Sequence, residues 1–279
     1  MKLIHLTDTH LTTPGRSLYG IDPLARLQAA VEHIAHQHAD AELCVVTGDL
    51  THWGEAAAYA SLRECLQMLP MPVLPLIGNH DDRGRFRAAF PETPVDDNGF
   101  VQWTQDTSAG RFILLDTVIG DADPRNPSAG YFDAGRLEWM RAQLDRAQAD
   151  ATPVFLFMHH PPFGVGIAAF DDINLVAEDA RAFGALLRGY GPIRGQIRHL
   201  FFGHIHRPIS GSWHGIPFST LPATAHQSGL DFLAETDRFT HEAPGYGVVL
   251  ITPEQVTVHI SDFLYRGPQI DPGSERLRD

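Results

Sequence analysis

The chain has 279 residues, of which 43% are apolar, and its net charge is −13. That apolar share supports a sizeable core and excludes a disordered chain. The acidity excludes the basic footprint of a protein that binds polymeric nucleic acid, and a count of 16 histidines is the first pointer to metal chemistry.

Residues 2–7 read as a buried strand. Leu24, Leu27, Val31 and Ile34 recur at helical spacing, so a helix is expected over 22–38, with Asp22 as N-cap and Pro23 in the first turn. A strand over 43–47 follows. Tyr59, Leu62, Leu66 and Leu69 mark a second amphipathic helix, stopped by Pro70 and Pro72, and the next strand is 73–77. This alternation predicts a right-handed α/β build with the strands side by side.

A short helix is expected over 83–90, then paired strands 99–105 and 111–116 across Ser108-Ala109-Gly110. Leu137, Met140, Leu144 and Ala147 mark a helix over 133–149, capped by Asp133. Strand 153–158, a Gly- and Asp-rich loop at 163–174, a helix over 175–188 and strand 198–202 come next. Beyond His206, alternating runs at 208–214, 216–221, 246–252 and 255–262 predict an antiparallel sheet that closes the domain. One domain over 1–265 is expected, with the polar 266–279 stretch as a tail or the interface arm of a homo-oligomer. A run of about 18 apolar residues is absent, as is a basic-then-apolar leader, so no membrane span and a cytoplasmic protein are expected. Cys44 and Cys65 read as two buried free thiols, although sequence leaves a pairing between them open.

Polar residues cluster just past five of the apolar runs. Ile4-His5-Leu6 leads to Thr7-Asp8-Thr9-His10, and Val45-Val46-Thr47 leads to Gly48-Asp49. Leu76-Ile77 leads to Gly78-Asn79-His80-Asp81. Val154-Phe155-Leu156-Phe157 leads to Met158-His159-His160-Pro161-Pro162, and His199-Leu200-Phe201-Phe202 leads to Gly203-His204-Ile205-His206. Loops at strand ends are where a rigid scaffold presents side chains to a ligand.

Asp8 and His10 share one face of an extended segment, so both can reach one ion. The two oxygens of Asp49 can bridge two cations, and Gly48 allows the tight turn before it. Asn79 adds a neutral carbonyl oxygen, while His159, His204 and His206 add imidazoles. Carboxylate, amide and imidazole with no thiolate point to Zn, Fe, Mn or Co. Two such ions about 3.5–4 Å apart would clamp the attacking and leaving oxygens of a phosphoryl displacement and supply hydroxide near neutral pH. Singly, each motif also has a plain reading: a turn for Gly-Asp and Asn-His-Asp, a proline-stiffened loop for His-His-Pro-Pro. Jointly, five imitations in a workable order are required, and the metal reading is the one carried forward.

The series Asp8-x-His10, Gly48-Asp49-x-x-x-x-Gly54, Gly78-Asn79-His80-Asp81, His159 in its His-His-Pro-Pro run, and Gly203-His204-x-His206 resembles the calcineurin-like metallophosphoesterase superfamily. The wording Thr7-Asp8-Thr9-His10-Leu11, Gly78-Asn79-His80-Asp81-Asp82-Arg83 and Gly203-His204-Ile205-His206-Arg207 is most similar to its bacterial branch of class III cyclic nucleotide phosphodiesterases and glycerophosphodiesterases. The resemblance implies a four-layer α/β/β/α sandwich of two mixed sheets flanked by helices. It implies Asp8, His10, Asp49 and His206 on one divalent ion, and Asp49, Asn79, His159 and His204 on the other. It implies His80 as the histidine that orients the phosphate or protonates the leaving alkoxide, and Asp81, the second catalytic candidate, as the support of that histidine or of the loop. His160 is either a further support or packs on Pro161. The branch often carries Asp where this chain has His52.

The implied activity is hydrolysis of small phosphodiesters by attack of a metal-bound hydroxide, with cAMP the first substrate and a glycerophosphodiester the alternative. A metal-binding regulatory protein without catalysis is the third reading. Asn79, His80 and His226 are the candidate substrate contacts, His226-Gln227 standing in a loop that resembles one near the site in this branch. Arg16 to Tyr19, His52-Trp53 and Phe163 to Asp172 are further rim candidates, with Trp53, Phe163 and Phe170 the aromatics able to stack on a base.

Overall fold

The structure, a computed structural model, describes residues 1–119, 125–191, 196–234 and 236–268. The expected 266–279 arm falls outside the described residues from position 269 on. Its first third repeats one unit: β1 (Lys2–Leu6), α1 (Pro23–Gln37), β2 (Leu43–Thr47), α2 (Ala56–Leu66) and β3 (Val73–Leu76). Asp22 caps α1 by accepting from the Leu24 and Ala25 amides, and Pro23 opens the first turn. β1, β2 and β3 pair in parallel, in that order. β3 is an edge strand, which is where the ladder tolerates Pro75.

α3 (Arg83–Ala89) is capped by Asp82, and β4 (Trp103–Thr107) with β5 (Gly110–Leu115) forms a hairpin. β4 starts later than the expected 99–105, because Asp96 and Asp116 take the backbone amides of Phe100 and Val101 out of any ladder. α4 (Ala134–Ala149) is capped by Asp133 and leads to β6 (Val154–Met158). The loop expected at 163–174 contains a single helical turn, α5 (Ala168–Asp171), before α6 (Ala177–Tyr190) and β7 (Ile197–Phe202).

The closing antiparallel sheet does not exist as one unit. β8 (Ser210–Trp213) and β9 (Ile216–Ser219) extend a six-stranded sheet of order β4-β5-β6-β7-β9-β8, in which β9 runs parallel to β7. β10 (Gln227–Ser228) and β11 (Phe239–Thr240) form a separate two-residue ribbon. β12 (Tyr246–Ile251) and β13 (Val256–Ser261) complete the other sheet, ordered β13-β12-β1-β2-β3, with β12 antiparallel to β1. Alternation reports which side chains are buried, and it carries no information on which sheet a strand joins.

The period-two pattern of the second sheet builds the layers. Phe112, Leu114, Phe155, Phe157 and Phe201 point into the core shared with the first sheet, α1 and α2. Ile113, Leu115, Val154, Leu156, Met158, Leu200 and Phe202 point the other way, against α4 and α6. Helices, sheet, sheet and helices therefore stack as a four-layer α/β/β/α sandwich of two mixed sheets. Cys44 and Cys65 are buried and free, and burial pushes the Cys65 thiol up to about 11. Among the described residues no helix is long and apolar enough to cross a membrane.

Candidate metal centre

The carboxyl ends of β1, β2 and β3 from one sheet meet those of β6 and β7 from the other. The loops after β1 and β2 run side by side: Asp8 N donates to Gly48 O at 3.1 Å, His10 N to Asp49 O at 2.8 Å and Leu11 N to Leu50 O at 3.0 Å. Across the seam, His204 N donates to both oxygens of Asp8 at 3.2 Å. A side chain at Gly203 would strike Thr7 Oγ1 and Thr47 O, so only glycine lets β7 approach this closely.

The local backbone is strained. Asp8, His10, Asp49, His204 and His206 all have positive φ, between 42° and 71°. Non-glycine residues rarely adopt this conformation, and its concentration at one cluster is the mark of a functional site. Gly48, at φ +89°, also has no room: an added Cβ would stand 2.6 Å from His159 Nδ1 and 2.8 Å from Gly78 N. Gly48→Ala is expected to lose about 2–4 kcal/mol of stability from the left-handed backbone and the overlap together. A lowered urea midpoint at unchanged m checks this.

One ligand atom each from Asp8, His10, Asp49 and His206 lies within 4.8 Å of the others, and all four residues are buried. His10 Nε2 is 3.4 Å from Asp49 Oδ2, and His206 Nε2 is 3.4 Å from Asp8 Oδ1. The other oxygen of Asp49 faces a second group: Oδ1 lies 3.3 Å from His159 Nε2, which is 3.1 Å from Asn79 Oδ1. His204 packs its ring 5.1 Å from that of His159. Asp49 thus stands between two sets of donors, one oxygen toward each.

Outer hydrogen bonds fix the rings. His159 Nδ1 donates to Thr47 O at 2.7 Å and His206 Nδ1 to His226 O at 2.8 Å, which leaves each Nε2 facing inward. The carboxylates attract positive charge. Burial pushes His159 down, but Asp49 and Asp8 reverse this and raise it to about 9. Burial likewise disfavours the charged form of His206, and Asp8 and Asp49 raise it on balance. Burial dominates at His10 and His204, which are lowered.

Residues 1–208 match the family described as calcineurin-like phosphoesterase. The chain belongs to that family. It is 41% identical over 269 residues to a probable cyclic nucleotide phosphodiesterase of Rhodopseudomonas palustris, covering 96% of this chain and 94% of the relative. It is 29% identical to a probable glycerophosphodiester phosphodiesterase of Arcobacter nitrofigilis, with 94% and 93% covered. A dimetal phosphatase from Danio rerio has the same fold, with a TM-score of 0.71 at 16% identity over 94% of this chain and 96% of that one.

Membership in this family implies divalent metal ions, and the residues present fit them. The donors are buried imidazoles, carboxylates and an amide at close quarters, and His204 Nε2 is buried without a hydrogen-bond partner. Such an orphan is costly unless a ligand completes it.

His80 is half-buried beside this group. Its amide donates to Asp49 Oδ1 at 2.9 Å, and its Nδ1 donates to His52 O at 2.9 Å. Of the two supports implied for Asp81, of His80 or of the loop, its hydrogen bonds make the second. Its carboxylate accepts from the amides of Leu50, Thr51 and Gly78 and from the Tyr59 hydroxyl, at 2.9–3.1 Å. It therefore ties the Asp49 loop to the Asn79 loop, and burial together with the Asp49 charge raises it to about 6. His160 is buried with Nδ1 2.7 Å from Thr117 Oγ1, and its Nε2 has no hydrogen-bond partner among the described residues. One ligand atom each from His159, His160 and His204 lies within 4.8 Å of the others.

His226 reaches the rim because Thr224 N and Ala225 N donate to Thr7 O and Asp8 O. Its ring lies 4.9 Å from that of His10 and 4.6 Å from that of His206. Of the aromatics expected to stack on a base, Phe163 is packed among Phe202, Trp213 and Phe218, and Phe170 is buried against His204. Trp53 is exposed, with the Arg16 guanidinium 3.7 Å over its ring. Two exposed rings join it: Tyr19 lies 4.8 Å from His226 and 4.7 Å from Phe239. Phe239 stands in a polar stretch where no periodicity marks it, and only the fold brings it to the rim.

Proposed function

We propose that this chain is a phosphodiesterase that hydrolyses small diesters at a dinuclear divalent-metal centre, with a 3',5'-cyclic nucleotide such as cAMP as substrate. The observation that carries the reading is Asp49, whose Oδ2 faces His10 and whose Oδ1 faces His159, which in turn meets Asn79. Asp8, His10, Asp49 and His206 would hold one ion, and Asp49, Asn79, His159 and His204 the other. The N/O donor set suits Mn, Fe, Zn or Co. When bound, such a pair supplies Lewis-acid neutralisation of the phosphoryl oxygens and lowers the pKa of a water to near neutrality.

The chain's own groups do the rest. Asp8 and Asp49 would offset only part of the charge of two dications, so the site would attract an anionic phosphodiester. The strained loops hold the donors in place before substrate arrives, so no reorganisation is needed in the transition state. His80 gives its Nδ1–H to the His52 carbonyl, so it would act as the imidazolium, passing a second proton from Nε2 to the departing alkoxide and returning to the neutral ring. Asn79 and His226 flank that position and contact the phosphate and the leaving group.

A cyclic nucleotide is favoured by the 41% identical relative and by Tyr19, Trp53 and Phe239, partly exposed aromatics of a kind that stacks on a nucleobase. The glycerophosphodiester reading rests on the more distant relative. The test is a panel with added Mn²⁺: cAMP, glycerophosphocholine, glycerophosphoethanolamine, a phosphomonoester and bis(p-nitrophenyl) phosphate. The highest kcat/KM is expected with cAMP. Tyr19→Ala should raise the KM for cAMP by about 3–10-fold, the worth of one stacked ring, and leave glycerophosphocholine unaffected. A preference for a glycerophosphodiester would move the assignment to the alternative substrate. Bound metal without turnover of any diester would leave the regulatory, non-catalytic role.

A further inference from the structure

We propose that His52 is a positioning residue whose side chain accepts the Nδ1–H of His10 and so fixes His10 as a metal ligand. The inference rests on the proposed ligand set. Its starting point is a pair of imidazole nitrogens: His10 Nδ1 and His52 Nδ1 lie 3.0 Å apart, both rings buried. At the His10 Nε2–His206 Nε2 contact, also 3.0 Å, Asp8 and Asp49 converge and a cation can stand between the bare nitrogens. Among the described residues no such carboxylate pair stands at the His10–His52 contact, so there one shared proton must keep the two nitrogens together.

The rest of the site decides whose proton it is. His10 Nε2 faces Asp49 Oδ2 and lies 3.0 Å from His206 Nε2, so it is the nitrogen offered to a cation and must be bare. In a neutral imidazole the proton is then on Nδ1. His52 Nδ1 must accept it, which places the His52 proton on Nε2. One hydrogen bond thus sets two tautomers.

This link differs from its counterparts. His159 and His206 give their outer N–H to the main-chain carbonyls of Thr47 and His226, which no side-chain substitution removes. His10 leans on a side chain. A carboxylate there would add a third negative charge beside Asp8 and Asp49. An imidazole offers an acceptor and leaves the charge of the centre unchanged.

His52 is itself held on two sides. Its ring stacks on His80 with centroids 4.6 Å apart and planes 21° apart, and Trp53 meets it edge-on at 4.5 Å. Its carbonyl accepts from His80 Nδ1 at 2.9 Å. The carbonyl persists in every variant, so side-chain substitutions separate the support of His10 from the support of His80.

A crossed pair of variants in the full-length protein tests the assignment. His52→Phe keeps a ring between His80 and Trp53 and removes the acceptor. His52→Asn loses the ring and keeps an acceptor, because Oδ1 stands where Nδ1 stood. Mn²⁺ binding is measured by titration and by elemental analysis after dialysis against a chelator, with circular dichroism melting as the control for folding. His52→Phe is expected to weaken one of the two Mn²⁺ sites by about 10–100-fold, the usual effect of removing an outer partner of a metal ligand. His52→Asn should recover most of that affinity. Unchanged Mn²⁺ affinity in His52→Phe would overturn the proposal. So would a loss in His52→Asn as large as that in His52→Phe, because packing and not the acceptor would then be the cause. A wild-type protein that bound no Mn²⁺ would instead remove the metal reading beneath it.

Discussion

Asp49→Ala is expected to release both metal ions and to slow hydrolysis of bis(p-nitrophenyl) phosphate by at least about a thousandfold, since the Lewis-acid stabilisation lost is worth several kcal/mol. The reason is geometric. Each of the other six donors faces one group, whereas the Asp49 oxygens face both. The same carboxylate accepts the His80 amide at 2.9 Å, so the Asn79-His80 loop loses an anchor with it. The charge balance points the same way. Burial works against ionisation of Asp49, yet His159 and His80 hold its carboxyl well below the usual carboxylate range. Elemental analysis of the purified variant is the deciding measurement. Two ions retained in Asp49→Ala would refute the bridging assignment, and one retained would place Asp49 on a single metal.

His80→Ala should leave both ions in place and lower kcat by about 10²–10⁴-fold, the range for a positioned general acid. No oxygen of Asp8, and neither His204 nor His206, depends on His80 for a hydrogen bond among the described residues. The defect should depend on the leaving group. A p-nitrophenolate departs without help, so its loss is the smaller one. An alkoxide such as the 3' oxygen of cAMP needs the proton, so its loss is the larger one. Equal rates for wild type and His80→Ala on the alkoxide substrate would end the acid assignment. A matching loss of metal would turn His80 into a support of the centre.

Much of the fold was legible because its signals are local. Asp22-Pro23 and Asp133 marked helix starts by chemistry that acts within one turn. Strands such as Val154–Met158 stood out as continuous apolar runs because both faces are covered. The candidate donors were legible for a related reason: Asp and His placed directly after buried strands have no structural use at that frequency. The sequence left Asp81 between support of His80 and support of the loop, because adjacency in the chain does not fix where a carboxylate turns. Its carboxylate turns toward the amides of Leu50 and Thr51, about thirty residues back, and of Gly78, three residues back.

By itself, then, the amino-acid order named the candidate donors and the strands that end beside them, since periodicity and capping act over a few residues. It also supplied the family resemblance, through the wording of motifs spread from Asp8 to His206. The tertiary structure alone decided the partition of the last strands between two sheets, the seam at which Gly203 meets Thr7 and Thr47, and the contact of His52 with His10. Those depend on distances between groups far apart in the chain. Such distances are set by how two sheets pack face to face, and no local pattern encodes that.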